Sequence, residues 1–253
     1  MRKKYLGALI GVLALAVAGS GLALAKAGKG KHQQFDLTFT SKKPGKAAGI
    51  SKLLTFYYNF QPQPVGQEAD PVTGLKFTLP KGTKISFKAI ASKRLAPCTK
   101  AKLGSSGDPV AAKCVEVTKR TGLADAVVTG LPSPITVHQD VKVYAGPKVL
   151  ILRLRQRPGQ LGQTANIYIT SKGRVLNAEV PKFCAADNAN TPFCDTEVVL
   201  TKVKVGIKKL GSRKRPFLTT PKTCPKGGWK SVANYTYRKT KSEKVTSSSP
   251  CKK

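Results

Sequence analysis

The chain has 253 residues, 40% of them hydrophobic, with 45 Lys+Arg against 12 Asp+Glu and a formal net charge of +33. That length suits one all-β domain with a full core, or two small domains, and the charge reads either as mere solubility of a basic secreted protein or as selected for an anionic partner. Of the cations, 35 are Lys and 10 are Arg; Lys is a hydrated point charge and Arg the better fork for bidentate readout, so the excess points to diffuse attraction toward polyanions.

Residues 1–27 read as a secretory signal: Arg2-Lys3-Lys4, an apolar run from Leu6 to Ala18, then the small-x-small site Ala23-Leu24-Ala25. Cleavage after Ala25 removes three positive charges and no acid, which leaves +30 on the mature chain. The alternative is an uncleaved anchor, since Tyr5 to Ala25 is about long enough to span a bilayer. The first cysteine is Cys98, so no cysteine at the cleavage site can carry a lipid. There is no Leu-Pro-x-Thr-Gly sorting signal, and no later stretch approaches the roughly 20 apolar residues of a spanning helix. Residues 26–34 form a basic leader without apolar periodicity and are expected to be disordered. The domain proper is 35–253, with a smaller lobe at 193–253 as the alternative division.

Alternating residues predict a first strand at Phe35–Thr40. Lys52–Phe60 has apolar residues on both faces, Leu54, Phe56 and Tyr58 against Leu53 and Tyr57, and reads as a central strand covered on both sides. Short strands follow at Gly74–Leu79 and Lys84–Ala89, separated by the turn Pro80-Lys81-Gly82. Thr99–Leu103 is expected to make one helical turn before Gly104 ends it. Ala124–Thr129 is a strand, and Ile135–Tyr144 and Lys148–Arg157 form a hairpin about Gly146-Pro147. A second hairpin joins Asn166–Thr170 to Arg174–Val180. Glu197–Ile207 sets Val199, Val203, Val205 and Ile207 against Lys202, Lys204 and Lys208. Trp229–Tyr237 places Trp229, Ala233, Tyr235 and Tyr237 on one face, and Glu243–Ser247 is its return strand.

Six cysteines in an exported chain imply disulfides. The spacing selects Cys98–Cys114, Cys184–Cys194 and Cys224–Cys251, each pair bracketing a loop rich in Pro, Gly, Asn or Ser. Metal ligation is disfavoured because no C-x-x-C occurs and no His pair lies near a Cys. Many short strands without crossover helices predict an all-β fold, specifically an antiparallel β-sandwich with short turns and three local disulfides.

Several short stretches carry a resemblance. They are Leu79-Pro80-Lys81-Gly82-Thr83, Pro97-Cys98-Thr99, Gly122-Leu123-Ala124, Val143-Tyr144-Ala145-Gly146, Pro181-Lys182-Phe183-Cys184, and Thr219-Thr220-Pro221-Lys222-Thr223-Cys224 with Trp229, Tyr237 and Cys251. From about residue 35 onward the chain resembles a group of exported, β-rich actinobacterial proteins without an assigned activity. In that group a Val-Gly-x-Gly turn typically follows the second Cys; here Arg120-Thr121-Gly122-Leu123 stands in its place. The resemblance implies export and a β-sandwich, and no mechanism.

Chemistry-bearing constellations are few. His138 and Asp140 share the polar face of one strand, a pair that can orient an imidazole as a general base. No G-x-S-x-G elbow supplies a nucleophile, so a solvated pair is expected. His32 sits in the leader and is expected to be inert. Glu68 and Asp70 share a loop, as do Asp187, Asp195 and Glu197; a glycosidase needs two carboxylates across a cleft. Asp187-Asn188-Ala189-Asn190 offers oxygen ligands for Ca²⁺ but lacks the EF-hand register. No catalytic residue, metal, cofactor or small-molecule ligand is expected. The basic strand faces are more suggestive: Arg153, Arg155 and Arg157 on one, Lys202, Lys204 and Lys208 on another. If these share a sheet, they form a positive plate for an anionic wall polymer or a membrane surface, with nucleic acid attracted only non-specifically. The expectation is a secreted, non-enzymatic protein that associates with anionic polymers of the cell envelope. The alternatives are a secreted hydrolase of envelope carbohydrate and an extracellular nucleic-acid-binding protein.

Overall fold

The computed structural model describes residues 26–58, 60–63, 69–90, 92–159, 164–184, 197–212 and 214–252. In chain order the elements begin with β1 (Gly28–Lys29), β2 (Gln33–Phe39), β3 (Ala47–Ala48), β4 (Ile50–Tyr57), β5 (Val72–Thr78) and β6 (Lys84–Ile85). A 3-10 turn (Phe87–Ala89), α1 (Ser92–Leu95), α2 (Lys100–Leu103) and β7 (Val115–Glu116) follow. Then come β8 (Gly122–Thr129), β9 (Ile135–Gly146), β10 (Val149–Gln156), β11 (Ala165–Lys172) and β12 (Val175–Glu179). The chain ends with β13 (Phe183–Cys184), β14 (Glu197–Ile207), β15 (Leu218–Thr219), β16 (Trp229–Tyr237) and β17 (Glu243–Ser249). The all-β expectation holds, with antiparallel pairing throughout, and so does the helical turn: Thr99 caps α2 by accepting from the Lys102 amide at 3.3 Å.

The main sheet does not part into two packed layers. Its strands run β1-β2-β4-β14-β8-β9-β10-β11-β12-β5-β16-β17 in one continuous path, and the path rolls round until its ends meet. Lys26 pairs with Ser248 on β17. Farther along the seam the Ser247 and Ser249 hydroxyls accept from the Leu37 and Phe39 amides at 3.1 and 3.3 Å. The result is a near-closed barrel, which removes the open edges of the sheet.

The leader expected to be disordered takes part in this closure. Gly28 and Lys29 pair with Phe35 and Gln34. A side chain at Gly28 would run into the Thr246 carbonyl, and one at Gly30 into the Glu243 carboxylate. Low hydrophobicity did not predict order because the segment pairs with its neighbour β2 only where Ser248, Thr246 and Glu243, more than 200 residues away, close over its other side. His32, whose amide donates to Glu243 at 3.1 Å, packs edge-on against Tyr57 and Tyr237.

Period two decides which residues enter the barrel. Phe35, Leu37, Phe39, Leu53, Phe77, Val141, Val143, Leu152, Ile167, Val203, Val205, Trp229, Tyr235 and Tyr237 form the interior. The other face of β4 is not covered as expected. Leu54 and Phe56 stay half-exposed outside, and Lys202 lies over the Phe56 ring.

Two predicted disulfides are present, Cys98–Cys114 and Cys224–Cys251, each with Cα atoms 5.7 Å apart. The first clasps a loop onto the outside of β9–β11, where Cys98 and Leu103 bury Tyr144, Ile151 and Tyr168. The second ties the β16–β17 hairpin to the loop before it. The signal segment 1–25, the Cys184–Cys194 pairing, Glu68, Asp195 and the Asp187–Asn190 loop lie outside the described residues.

The barrel has two unlike ends. One is capped by a separate three-stranded sheet, β3-β15-β6, and carries loops 40–49, 79–97, 208–228 and the C-terminal residues. None of those stretches contains an Asp or Glu. The far end gathers Asp70, Glu197, Arg238 and Glu243. There Arg238 holds Glu197 with two charge-assisted bonds at 2.8 and 2.6 Å, and Asp70 accepts from the Lys239 amide at 2.7 Å.

Candidate polyanion-binding site

The site at the capped end is built from turns whose geometry the sequence dictates. Pro80-Lys81-Gly82-Thr83 closes with the Thr83 amide donating to the Pro80 carbonyl at 3.0 Å. Gly82 sits at φ +89°, a left-handed conformation that glycine adopts without a steric cost. On the facing side, Thr220 to Gly228 is fixed from three directions. The Cys224–Cys251 bond holds its middle. The buried Trp229 indole donates to the Thr223 carbonyl at 2.7 Å. The Thr220 hydroxyl donates to the Lys43 carbonyl at 2.8 Å, while the Gly45 amide donates to Pro221 at 2.8 Å. Arg174 at the tip of the β11–β12 hairpin donates to the Leu79 carbonyl at 2.6 Å.

Between these turns lies a cleft of about 930 Å³. Its walls carry Lys81, Lys84, Arg174, Lys222, Lys226 and Lys230, and no carboxylate. All six cations are exposed, and none forms an ion pair with a described carboxylate. Six like charges in one concavity repel one another and raise the local positive potential, which an anion relieves on entering. Rigid prolines precede three of these lysines, in Pro80-Lys81, Pro221-Lys222 and Pro225-Lys226. That repeated dipeptide in turns was the sequence signal for the site, and strand periodicity passed over it because the residues lie between strands.

The strand-face cations expected to form a plate are used differently. Arg153 points outward as its alternation requires, but the Cys98–Cys114 loop covers it, leaving it only 9% exposed. Its guanidinium donates to the carbonyls of Ser106 and Gly107 at 2.7 and 3.1 Å and to the Asn166 side chain at 3.3 Å. Burial lowers its pKa, yet Arg titrates so high that the charge remains. Arg155 is exposed. Arg157 is held by Asp140 at 2.9 Å and Lys202 by Asp125 at 2.9 Å. Lys204 and Lys208 are exposed. Two strands, β8 and β9, separate the Arg stripe from the Lys stripe. With Asp125 and Asp140 standing between them, the wall is a lattice of alternating charge.

His138 pairs across to the neighbouring strand, while Asp140 holds Arg157. The imidazole Nδ1 lies 2.7 Å from Asp125 on the neighbouring strand, because β8 and β9 pair Asp125 directly with His138. Burial raises the Asp125 pKa, but hydrogen bonds and charge from Lys202 and His138 outweigh it and hold the carboxyl below its ordinary range. The other described carboxylates are likewise engaged: Asp36 with Lys52 at 2.7 Å, Glu116 with Lys142 at 3.1 Å, and Glu243 with the Tyr237 hydroxyl at 2.8 Å. Among the described residues no group of three or more His, Cys, Asp or Glu is placed to hold a metal ion.

Compared with protein families, with curated proteins and with solved structures, the chain shows no match.

Proposed function

We propose that this protein is a secreted, non-enzymatic binder of anionic cell-envelope polymers, and that the capped end of the barrel is its binding surface. The observation that carries the reading is the cleft of about 930 Å³ with six cations and no carboxylate in its walls. Folding tolerates unpaired like charge in a concavity at a cost in self-repulsion, and an anionic ligand offsets that cost. Lysines dominate the cleft. A compact ammonium suits a ligand with a charge on every repeat, whereas planar bidentate recognition calls for Arg. Export is supported by the N-terminal signal pattern and by disulfides, which persist in oxidising compartments.

The test is retention on purified envelope polymer across a salt series. Binding at about 50 mM salt that falls by orders of magnitude at about 200 mM fits a multi-phosphate contact. Binding that persists unchanged at high salt overturns the electrostatic reading.

A further inference from the structure

A second basic depression, of about 460 Å³, lies where β4, β14 and β8 reach the capped end. Lys52, Lys119, Arg120 and Lys204 line it, again with no carboxylate in its walls. Lys52 is taken up by Asp36 at 2.7 Å, while Lys119, Arg120 and Lys204 are exposed and form no ion pair with a described carboxylate. The Lys119 amide donates to the Gly206 carbonyl at 2.9 Å, which fixes this turn against the end of β14.

The position of this depression is set by the strand order. Its walls are β4, β14, β8 and the turn before β8, and those of the larger cleft are the turn before β12, the turn after β5, the cap strand β6, and the start of β16 with the loop before it. Six places separate β14 from β5 or β8 from β16 in a path of twelve whose ends meet, so the two depressions lie on opposite sides of the barrel. Twelve strands about 4.8 Å apart, tilted as in a barrel, enclose a diameter of roughly 20–25 Å. The ground between them is the β3-β15-β6 cap. Its β3 leads into β4 beside one depression, and its β6 follows β5 beside the other. The loops that form the cap contain no acid and expose Lys42, Lys43, Lys46, Lys88, Lys208 and Lys209.

We propose that Lys119, Arg120 and Lys204 form a second polyanion subsite, and that one polymer chain crosses the cap to occupy both, so that the protein selects for chain length. This rests on the polymer-binding reading above and goes beyond it in assigning two subsites. Once one subsite is filled, the polymer's remaining length reaches the other as an intramolecular event, provided that it spans the gap. Linkage of that kind raises apparent affinity by about 10²–10⁴-fold without new contacts.

Calorimetry of the mature chain with two probes, tripolyphosphate and long-chain linear polyphosphate, tests it. Expected are two tripolyphosphates per molecule, one lost in Lys119→Gln/Arg120→Gln/Lys204→Gln and the other in Lys222→Gln/Lys226→Gln/Lys230→Gln. Long polyphosphate should bind one chain per molecule, about 100-fold or more tighter, and fall to the short-chain affinity in either variant. The substituted residues are all exposed, and circular dichroism is to check that each variant is folded. One tripolyphosphate per molecule, unchanged by the Lys119/Arg120/Lys204 substitutions, overturns the second subsite and leaves the first reading standing. Long polyphosphate that binds no tighter than tripolyphosphate, or that keeps its affinity in either variant, overturns the spanning mode. No binding of either probe overturns the polymer reading and, with it, this proposal.

Discussion

The wall and the capped end of the barrel carry the same residue types and use them in opposite ways. On the wall, Arg157, Lys202 and Lys142 each have a carboxylate within 3.1 Å, and Arg153 is buried against two loop carbonyls. At the capped end, Lys81, Lys84, Lys222, Lys226 and Lys230 surround a cleft without one. A paired cation holds the fold together, at a modest gain where the pair is exposed. An unpaired cluster of like charge does nothing for the fold, and its energetic sense lies in what it attracts. High net charge alone therefore says little about function; the location of the unpaired part says more.

The largest expected effect separates the two regions directly. Lys222→Glu/Lys226→Glu/Lys230→Glu should lower polymer affinity by about 10²–10³-fold at low salt and flatten the slope of log K against log salt by about two units, since each lost contact to a single-stranded polyanion removes roughly 0.7. Thermal stability should hold or rise as repulsion is relieved. Arg157→Glu on the wall should leave affinity unchanged; a comparable loss there would break the comparison.

The two clasps sharpen it next. Replacing either Cys98 and Cys114 or Cys224 and Cys251 by Ser should cost about 3 kcal/mol in the chain-entropy account, measured by urea unfolding. Only the second pair should also weaken polymer binding, because the loop it fixes carries Lys222 and Lys226.

Arg153→Ala should destabilise by about 1.5–3 kcal/mol, the range for hydrogen bonds to a charged group, since it strips the donors from the Ser106 and Gly107 carbonyls. Polyphosphate titration of that variant should match the parent. A drop in affinity there would return Arg153 to the binding surface.

The smallest effect belongs to the far end. Burial, and then the charges of Asp70 and Glu243, push the Tyr57 phenol up to about 12, and burial raises Tyr237 as well. A raised folded-state pKa means that the neutral form contributes stability below the ordinary value near 10. That contribution is lost as pH rises from about 10 toward 12. Tyr57→Phe should flatten the decline in urea midpoint over that window, and an unchanged decline would place the alkaline sensitivity elsewhere.

Local pattern carried much of the fold. Alternation placed Trp229, Ala233, Tyr235 and Tyr237 on one inward face, as observed. Short loops rich in turn residues paired Cys98 with Cys114 and Cys224 with Cys251. Alternation also pointed Arg153 outward correctly and still misjudged its surroundings, because a loop from some 50 residues upstream covers that part of the wall. The binding cleft was legible only as Pro-Lys turns scattered from Pro80 to Lys226.

By itself the sequence determined an antiparallel all-β chain, its local clasps and its excess of positive charge. These depend on period-two alternation, short loop closure and composition, all of which act over a few residues. Only the tertiary structure decided that one sheet rolls up through a seam of Ser247 and Ser249 against β2, that the leader becomes β1, and that uncompensated charge collects at one end. The seam, the leader's contact with β17 and the charge cluster join segments far apart in the chain, and their juxtaposition follows from the order of strands around the barrel, which no local pattern encodes.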